Sequence, residues 1–227
     1  VALSRPPLVL FDIDGTLVRR SGPHHREALV HAVRVVTGFE TTTSGIPVHG
    51  MLDPDILTRM MSEAGMRPAA IRGAMPAVLE EAQSAYRCPD LRRKACPGAR
   101  ALLRKLRERE APLSLVTGNL TAIGWKKLGA AGLAEYFWHG AFGEMARDRA
   151  GLARLAIRHA RRERWIGART PVVLIGDAPS DIRAAQANGI RSIAVCTGIS
   201  TRAELRALRP DVLIEDLRDV TPEMVGA

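Results

Sequence analysis

Leu8-Val9-Leu10-Phe11-Asp12-Ile13-Asp14-Gly15-Thr16 decides how the rest of the chain is read. Four apolar residues in a row, with no polar alternation, describe a strand buried on both faces, as in a parallel sheet. That strand runs straight into two acids, one residue apart. At a strand end Asp12 and Asp14 fall on the same side. Two carboxylates so close repel each other and resist ionising together unless a cation neutralises them. Isolated Asp residues are readily explained as turn or cap residues. A buried strand that ends in a pair of them is costly without compensation.

Working outward, similar apolar runs recur at Leu113–Val116, Val172–Ile175, Ile193–Val195 and Val212–Ile214. Helical patterns lie between them. Pro97 opens one as its first helical residue, with Ala101, Leu102, Leu103 and Leu106 as the apolar stripe. Another runs from about Leu120 to Leu128, and a third from near Asp181 to Gly189. This alternation predicts an α/β fold with a doubly wound, mainly parallel sheet. In such sheets the C-terminal strand ends line the ligand crevice. The Leu113 run ends in Thr117-Gly118-Asn119, and the Val172 run in Gly176-Asp177-Ala178-Pro179-Ser180-Asp181. Asp177 would therefore join Asp12 and Asp14 as a third carboxylate, and Mg²⁺ suits that set when the ligand is a phosphate. Asp181 reads equally well as a cap of the next helix.

After the first strand the rhythm breaks, and no convincing strand appears before Leu113. Pro23 to Val36 carries Leu29, Ala32, Val33 and Val36 at helical spacing, closed by Gly38. Asp53 and Pro54 read as N-cap and first helical residue, followed by Ile56, Leu57, Met60 and Met61. Pro76 to Tyr86 is a third candidate helix. The chain thus divides into a Rossmann-like core, residues 1–16 and 93–227, and an inserted α-helical cap, residues 17–92. Hinges are expected near 18–21 and 92–97. In the insertion His24, His25, Arg19, His49 and Asp53 are the polar candidates for facing the crevice. Met51, Met60, Met61, Met66 and Met75 read first as core packing.

The segments LVLFDIDGTL, LSLVTGN and VVLIGDAPSD, in that order, resemble the haloacid dehalogenase (HAD) superfamily of phosphohydrolases. The matches span Leu8 to about Gly198, and the insertion resembles the first-type helical cap of the phosphoglycolate-phosphatase-like branch. The resemblance implies that Asp12 attacks phosphorus to form an aspartyl-phosphate. It implies that Asp14 serves as general acid and then general base. It further implies Mg²⁺ held by Asp12, the Asp14 carbonyl and Asp177, with Asp181 behind them. Thr117 would bind a phosphoryl oxygen, and the N–H groups of Gly118 and Asn119 would open a helix as an anion site. The family's Lys-Pro after the third strand is missing. Arg149 is the first candidate to replace that Lys and Arg147 the second.

The chain has 227 residues and a formal net charge of +9; of its 33 basic residues only four are lysines. Eight Arg against two acids crowd positions 147–169. Arg154, Arg158, Arg161, Arg162 and Arg164 alternate with Leu152, Leu155 and Ala156 as on an amphipathic helix, which favours a solvated face over a nucleic-acid patch. No run reaches the ~18 apolar residues of a membrane helix, and VALSRPPLVLF does not read as a signal peptide. Cys88, Cys96 and Cys196 form no CxxC pair, which points to a reducing cytoplasm. The reading is therefore a Mg²⁺-dependent phosphatase acting on a small phosphorylated metabolite. A sugar phosphomutase of the same superfamily is the alternative within the class. A basic nucleic-acid-binding protein with a degenerate site is the alternative outside it. Asp14 argues against a dehalogenase. An insertion without Lys argues against Schiff-base chemistry of the phosphonoacetaldehyde hydrolase kind.

Overall fold

The computed structural model describes residues 6–19 and 22–226. Six strands form one sheet: β1 (Leu8–Phe11), β2 (Leu113–Val116), β3 (His139–Ala141), β4 (Val172–Gly176), β5 (Arg191–Val195) and β6 (Val212–Ile214). Their order is β3-β2-β1-β4-β5-β6, and every pairing is parallel. The five apolar runs are all strands. β3 escapes a sequence reading because His-Gly-Ala carries no β-rich signal.

Burial explains the unalternating runs. Every residue of β1, β2 and β4 is buried. Val9 and Phe11 of β1 pack with Leu102, Leu103 and Leu106 of α4 (Ala99–Glu108) and with Leu128 of α5 (Thr121–Ala131). Leu8 and Leu10 face the other way, onto Leu152 and Ala156 of α6 (Arg149–Arg162) and Ala184 and Ala185 of α7 (Pro179–Ala187). Each such buried Val, Leu or Phe side chain contributes about 1.5–3 kcal/mol. Helices thus cover both faces, and the chain winds one way from β1 to β3, then the other way from β4 to β6. The reversal lies between β1 and β4, where ligand crevices open in such sheets.

Between β1 and α4 lie α1 (His24–Thr37), α2 (Asp53–Glu63) and α3 (Pro68–Ala85). They enclose their own apolar cluster, including Leu29, Val33, Leu57, Met60 and Met61, which reaches α5 through Leu120 and Ile123. Met51, Met66 and Met75 pack against it, as a core reading of the Met residues expects. α3 begins eight residues before the expected Pro76, which lies inside the helix. Pro97 does not open α4; Gly98 is its N-cap. The chain leaves and re-enters the sheet half at adjacent points. Val18 bridges Ala95 in antiparallel fashion, Arg19 N–H donates to the Lys94 carbonyl at 2.7 Å, and Cys96 N–H donates to Leu17 at 2.9 Å. This short ladder overlaps both expected hinges, although residues 20 and 21 lie outside the described residues. No helix among the described residues is long and apolar enough to cross a membrane.

Candidate active site

The loops after β1, β2 and β4 meet at a cavity of about 370 Å³, roofed by α1 and the start of α2. Asp12, Asp14 and Asp177 line it, and so do Thr117, Gly118, Asn119 and Arg149. Residues more than a hundred positions apart are therefore brought together, as the strand-end argument requires.

One wall is acidic and buried. Asp12, Asp177 and Asp181 each offer an oxygen within 4.8 Å of the others. Arg149 lies among them: its Nη1 is 2.8 Å from Asp12 Oδ1, 3.0 Å from Asp181 Oδ1 and 3.1 Å from the Val116 carbonyl. Local sequence places it there. Asp148 caps α6 by accepting the Gly151 N–H at 2.7 Å, which makes Arg149 the first helical residue, and its side chain is buried. Arg147 is exposed, so of the two candidates only Arg149 reaches the site. Asp181 acts as the cap considered for it and also faces Arg149. Its Oδ2 accepts the Ala178 N–H at 3.0 Å in the first turn of α7 while Oδ1 faces Arg149.

This wall holds more negative charge than Arg149 balances. Burial, and then the charges of Asp12 and Asp181, push the Asp177 carboxyl well above its usual range. Burial likewise pushes Asp181 up to about 7, against the pull of Arg149. Desolvation disfavours the Arg149 cation, but Asp181 and Asp12 more than compensate and hold it charged. Asp177 Oδ1 accepts from Thr16 at 3.3 Å, whereas the buried Oδ2 accepts no hydrogen bond among the described residues. A hard divalent cation fits this donor set by charge and by its unsatisfied oxygen.

The sequence around Asp177 is built for close approach. Gly15 has φ +85°, and a Cβ on it would lie 2.3 Å from Asp177 Oδ2. A Cβ on Gly118 would lie 2.2 Å from the Met51 carbonyl. Only glycine permits the β2 loop to touch the insertion so closely.

Asp14 belongs to a different set of contacts. Its side chain is not part of the acidic trio. Oδ2 accepts from Lys127 Nζ at 2.6 Å and from Asn119 Nδ2 at 2.8 Å. Burial alone would raise Asp14, but the Lys127 ammonium, with hydrogen bonds from Lys127 and Asn119, holds it down at about 2. Thr117 Oγ1 accepts from Asn119 Nδ2 at 2.7 Å, which leaves its own O–H free to donate into the cavity.

Three expectations need correction. Gly118 and Asn119 precede α5 rather than open it. The first N–H groups of α5 are already taken: Leu120 donates to Asp53 Oδ2 at 2.8 Å, Thr121 to Glu144 at 3.0 Å and Ala122 to Gln83 at 2.9 Å. Asp53 is not the N-cap of its own helix; Leu52 is. Its buried carboxylate instead caps α5 and accepts from His25 at 2.9 Å. His25, His49 and Asp53 line the cavity, whereas Arg19 and His24 do not.

Sequence reasoning missed Lys127. It is buried, and its ammonium also donates to Asn119 Oδ1 at 2.7 Å and to His25 Nδ1 at 3.2 Å. The available signal was a lysine in the apolar stripe of α5, four residues after Ile123 and four before Ala131.

A model of the haloacid dehalogenase-like hydrolases matches residues 6–189. No curated protein matches the chain. Among solved structures, CbbY from Rhodobacter sphaeroides in complex with phosphate is similar at TM-score 0.69 and 21% identity, covering 94% of this chain and 96% of that one. A beta-phosphoglucomutase from Clostridium difficile aligns at 0.69 and 14% identity, covering 98% and 96%. A predicted phosphoglycolate phosphatase from Haemophilus somnus aligns at 0.67 and 18%, covering 96% and 97%. At these identities the likeness is one of fold.

Proposed function

The chain belongs to the haloacid dehalogenase-like hydrolase family, and from that membership we propose that it is a Mg²⁺-dependent phosphatase of small phosphate monoesters. The observation that carries this reading is the buried trio Asp12, Asp177 and Asp181, with Arg149 2.8 Å from Asp12 at the floor of the cavity. Asp12 is the nucleophile: its carboxylate attacks phosphorus and the alcohol oxygen leaves, giving an aspartyl-phosphate that water then opens. Arg149 holds Asp12 in place and offers its positive charge to the phosphoryl oxygens. Thr117 donates its hydroxyl proton to one of those oxygens, and Asn119 fixes the Thr117 side chain.

Asp14 moves the proton. Its lowered pKa keeps it ionised at neutral pH. An arriving phosphate dianion favours its protonated form, because a like charge beside a carboxylate raises its pKa. It then protonates the departing alkoxide and afterwards takes a proton from the attacking water. Asp12, Asp177 and the Asp14 carbonyl would hold Mg²⁺, with Asp181 supporting them. When bound, the ion neutralises charge between nucleophile and phosphate. Residues 17–92 act as a cap that closes over the ester and excludes bulk water.

The test is hydrolysis of p-nitrophenyl phosphate with and without Mg²⁺, followed by a panel of phosphoglycolate, glycerol phosphate and sugar phosphates. Mg²⁺-dependent phosphate release that vanishes in Asp12→Asn supports the reading. No turnover under any condition overturns it. Isomerised sugar phosphate without phosphate release would assign the phosphomutase alternative instead.

A further inference from the structure

We infer that Lys127 is a positioning residue that aims the Asp14 carboxylate at the leaving group and does so through contact with the inserted helices. This rests on the phosphatase reading above.

An ammonium has three N–H groups and no acceptor. Lys127 has three partners: Asp14 Oδ2 at 2.6 Å, Asn119 Oδ1 at 2.7 Å and His25 Nδ1 at 3.2 Å. It therefore has no donor left for a phosphate oxygen, and its work is done on protein groups. Asp14 Oδ2 is occupied by two donors, Lys127 and Asn119. That leaves Oδ1 as the oxygen that exchanges a proton with the ester. Fixing one carboxylate oxygen fixes the plane and direction of the other, and proton transfer needs hydrogen-bond reach.

The link continues into the insertion. Lys127 can only donate, so His25 Nδ1 is an acceptor and the ring proton sits on Nε2. That proton is donated to Asp53 Oδ2 at 2.9 Å, and the same oxygen accepts the Leu120 N–H at 2.8 Å. A closed circuit thus runs from Asp14 through Lys127 on α5 to His25 on α1 and Asp53 on α2, then back to the start of α5. Two of its members belong to the insertion. If those helices lift away, Lys127 loses a partner and its hold on Asp14 loosens. Proton transfer is then competent only when the insertion is seated.

The signature is leaving-group dependence. Nitrophenolate departs with little need of a proton, whereas phenolate is more basic and needs one more. kcat/KM for p-nitrophenyl phosphate and for phenyl phosphate, both with Mg²⁺, is measured in wild type, Lys127→Met, His25→Phe and the double variant. Lys127→Met is expected to lower the phenyl phosphate value by about tenfold more than the p-nitrophenyl value. His25→Phe tests the same link without emptying the buried position; its side chain is 22% exposed. It should move the ratio in the same direction, and the double variant should move it no further than Lys127→Met does. An unchanged ratio in both single variants, or effects on the ratio that multiply in the double, overturns the role of Lys127 alone. Wild type inert toward both esters overturns the phosphatase reading and this inference with it.

Discussion

Arg149→Met removes the guanidinium paired with Asp12 and Asp181 while keeping an apolar stem of similar reach. Asp12, Asp177 and Asp181 are then left with their charges at most 4.8 Å apart and nearly solvent-free. Removing one partner of a buried ion pair costs about 3–5 kcal/mol. For a protein of this size each kcal/mol moves Tm by about 2–4 °C, so Tm should fall by about 6–20 °C. The fall should deepen from pH 5 to pH 8, because protonation of Asp177 and Asp181 relieves the repulsion at the lower pH. Mg²⁺ supplies charge to the same oxygens and should recover more Tm in the variant than in wild type. Differential scanning fluorimetry in Mg²⁺-free buffer and in 10-fold steps of MgCl₂ reads all three effects. A drop of less than about 2 °C at pH 8 without Mg²⁺ would refute the view of Arg149 as the cation that makes this acid cluster tolerable.

Other perturbations follow from the same geometry. Asp12→Asn should abolish phosphate release, yet leave the metal-free Tm equal to or above wild type, since it takes one charge out of a crowded wall; a Tm loss beyond about 5 °C would contradict this. Asp181 has its pKa raised from 3.8 to about 7, so it is protonated in the folded protein at pH values where the unfolded chain has released its proton. Metal-free stability from this group is therefore present below about pH 4 and is lost as pH rises to about 7. Mg²⁺ binding should release protons near pH 6.5, and calorimetry in two buffers of different ionisation enthalpy detects the release; identical heats after buffer correction would count against it. Gly118→Ala puts a methyl group 2.2 Å from the Met51 carbonyl and should push the insertion off the β2 loop. Its kcat/KM should fall by at least about tenfold, with little change in the α/β core; an unaltered kinetic profile would argue against the close approach.

The sheet was legible because β1, β2 and β4 are buried on both faces, and such strands write themselves as unbroken apolar runs. The acids were legible because carboxylates at buried strand ends have no cheap structural excuse. β3 was not, because an edge strand of three residues including glycine needs little β propensity when its neighbour supplies the ladder. Asp53 misled for a physical reason: Asp before Pro at a helix start is the N-cap pattern, yet its carboxylate crosses to a different helix. Lys127 was invisible in motif terms. A lysine on an apolar helix face ordinarily snorkels to solvent, and only the fold shows that Asp14 and Asn119 wait at the end of its stem.

The antiparallel bridge of Val18 to Ala95 has a consequence for how such a chain can vary. The two strands of chain that carry the inserted helices depart and return as neighbours, tied by the Arg19–Lys94 and Leu17–Cys96 hydrogen bonds. Topologically the insertion is a loop closed at its neck by the core itself. Its length enters the folding free energy only logarithmically, so helices can be added, lost or exchanged above the neck at small cost to the sheet beneath. The acid wall and the hydroxyl of Thr117 lie below that neck. The insertion's share of the cavity lining, including His25, His49 and Asp53, lies above it. Under the proposed function, chemistry and choice of substrate can then drift at different rates within one polypeptide.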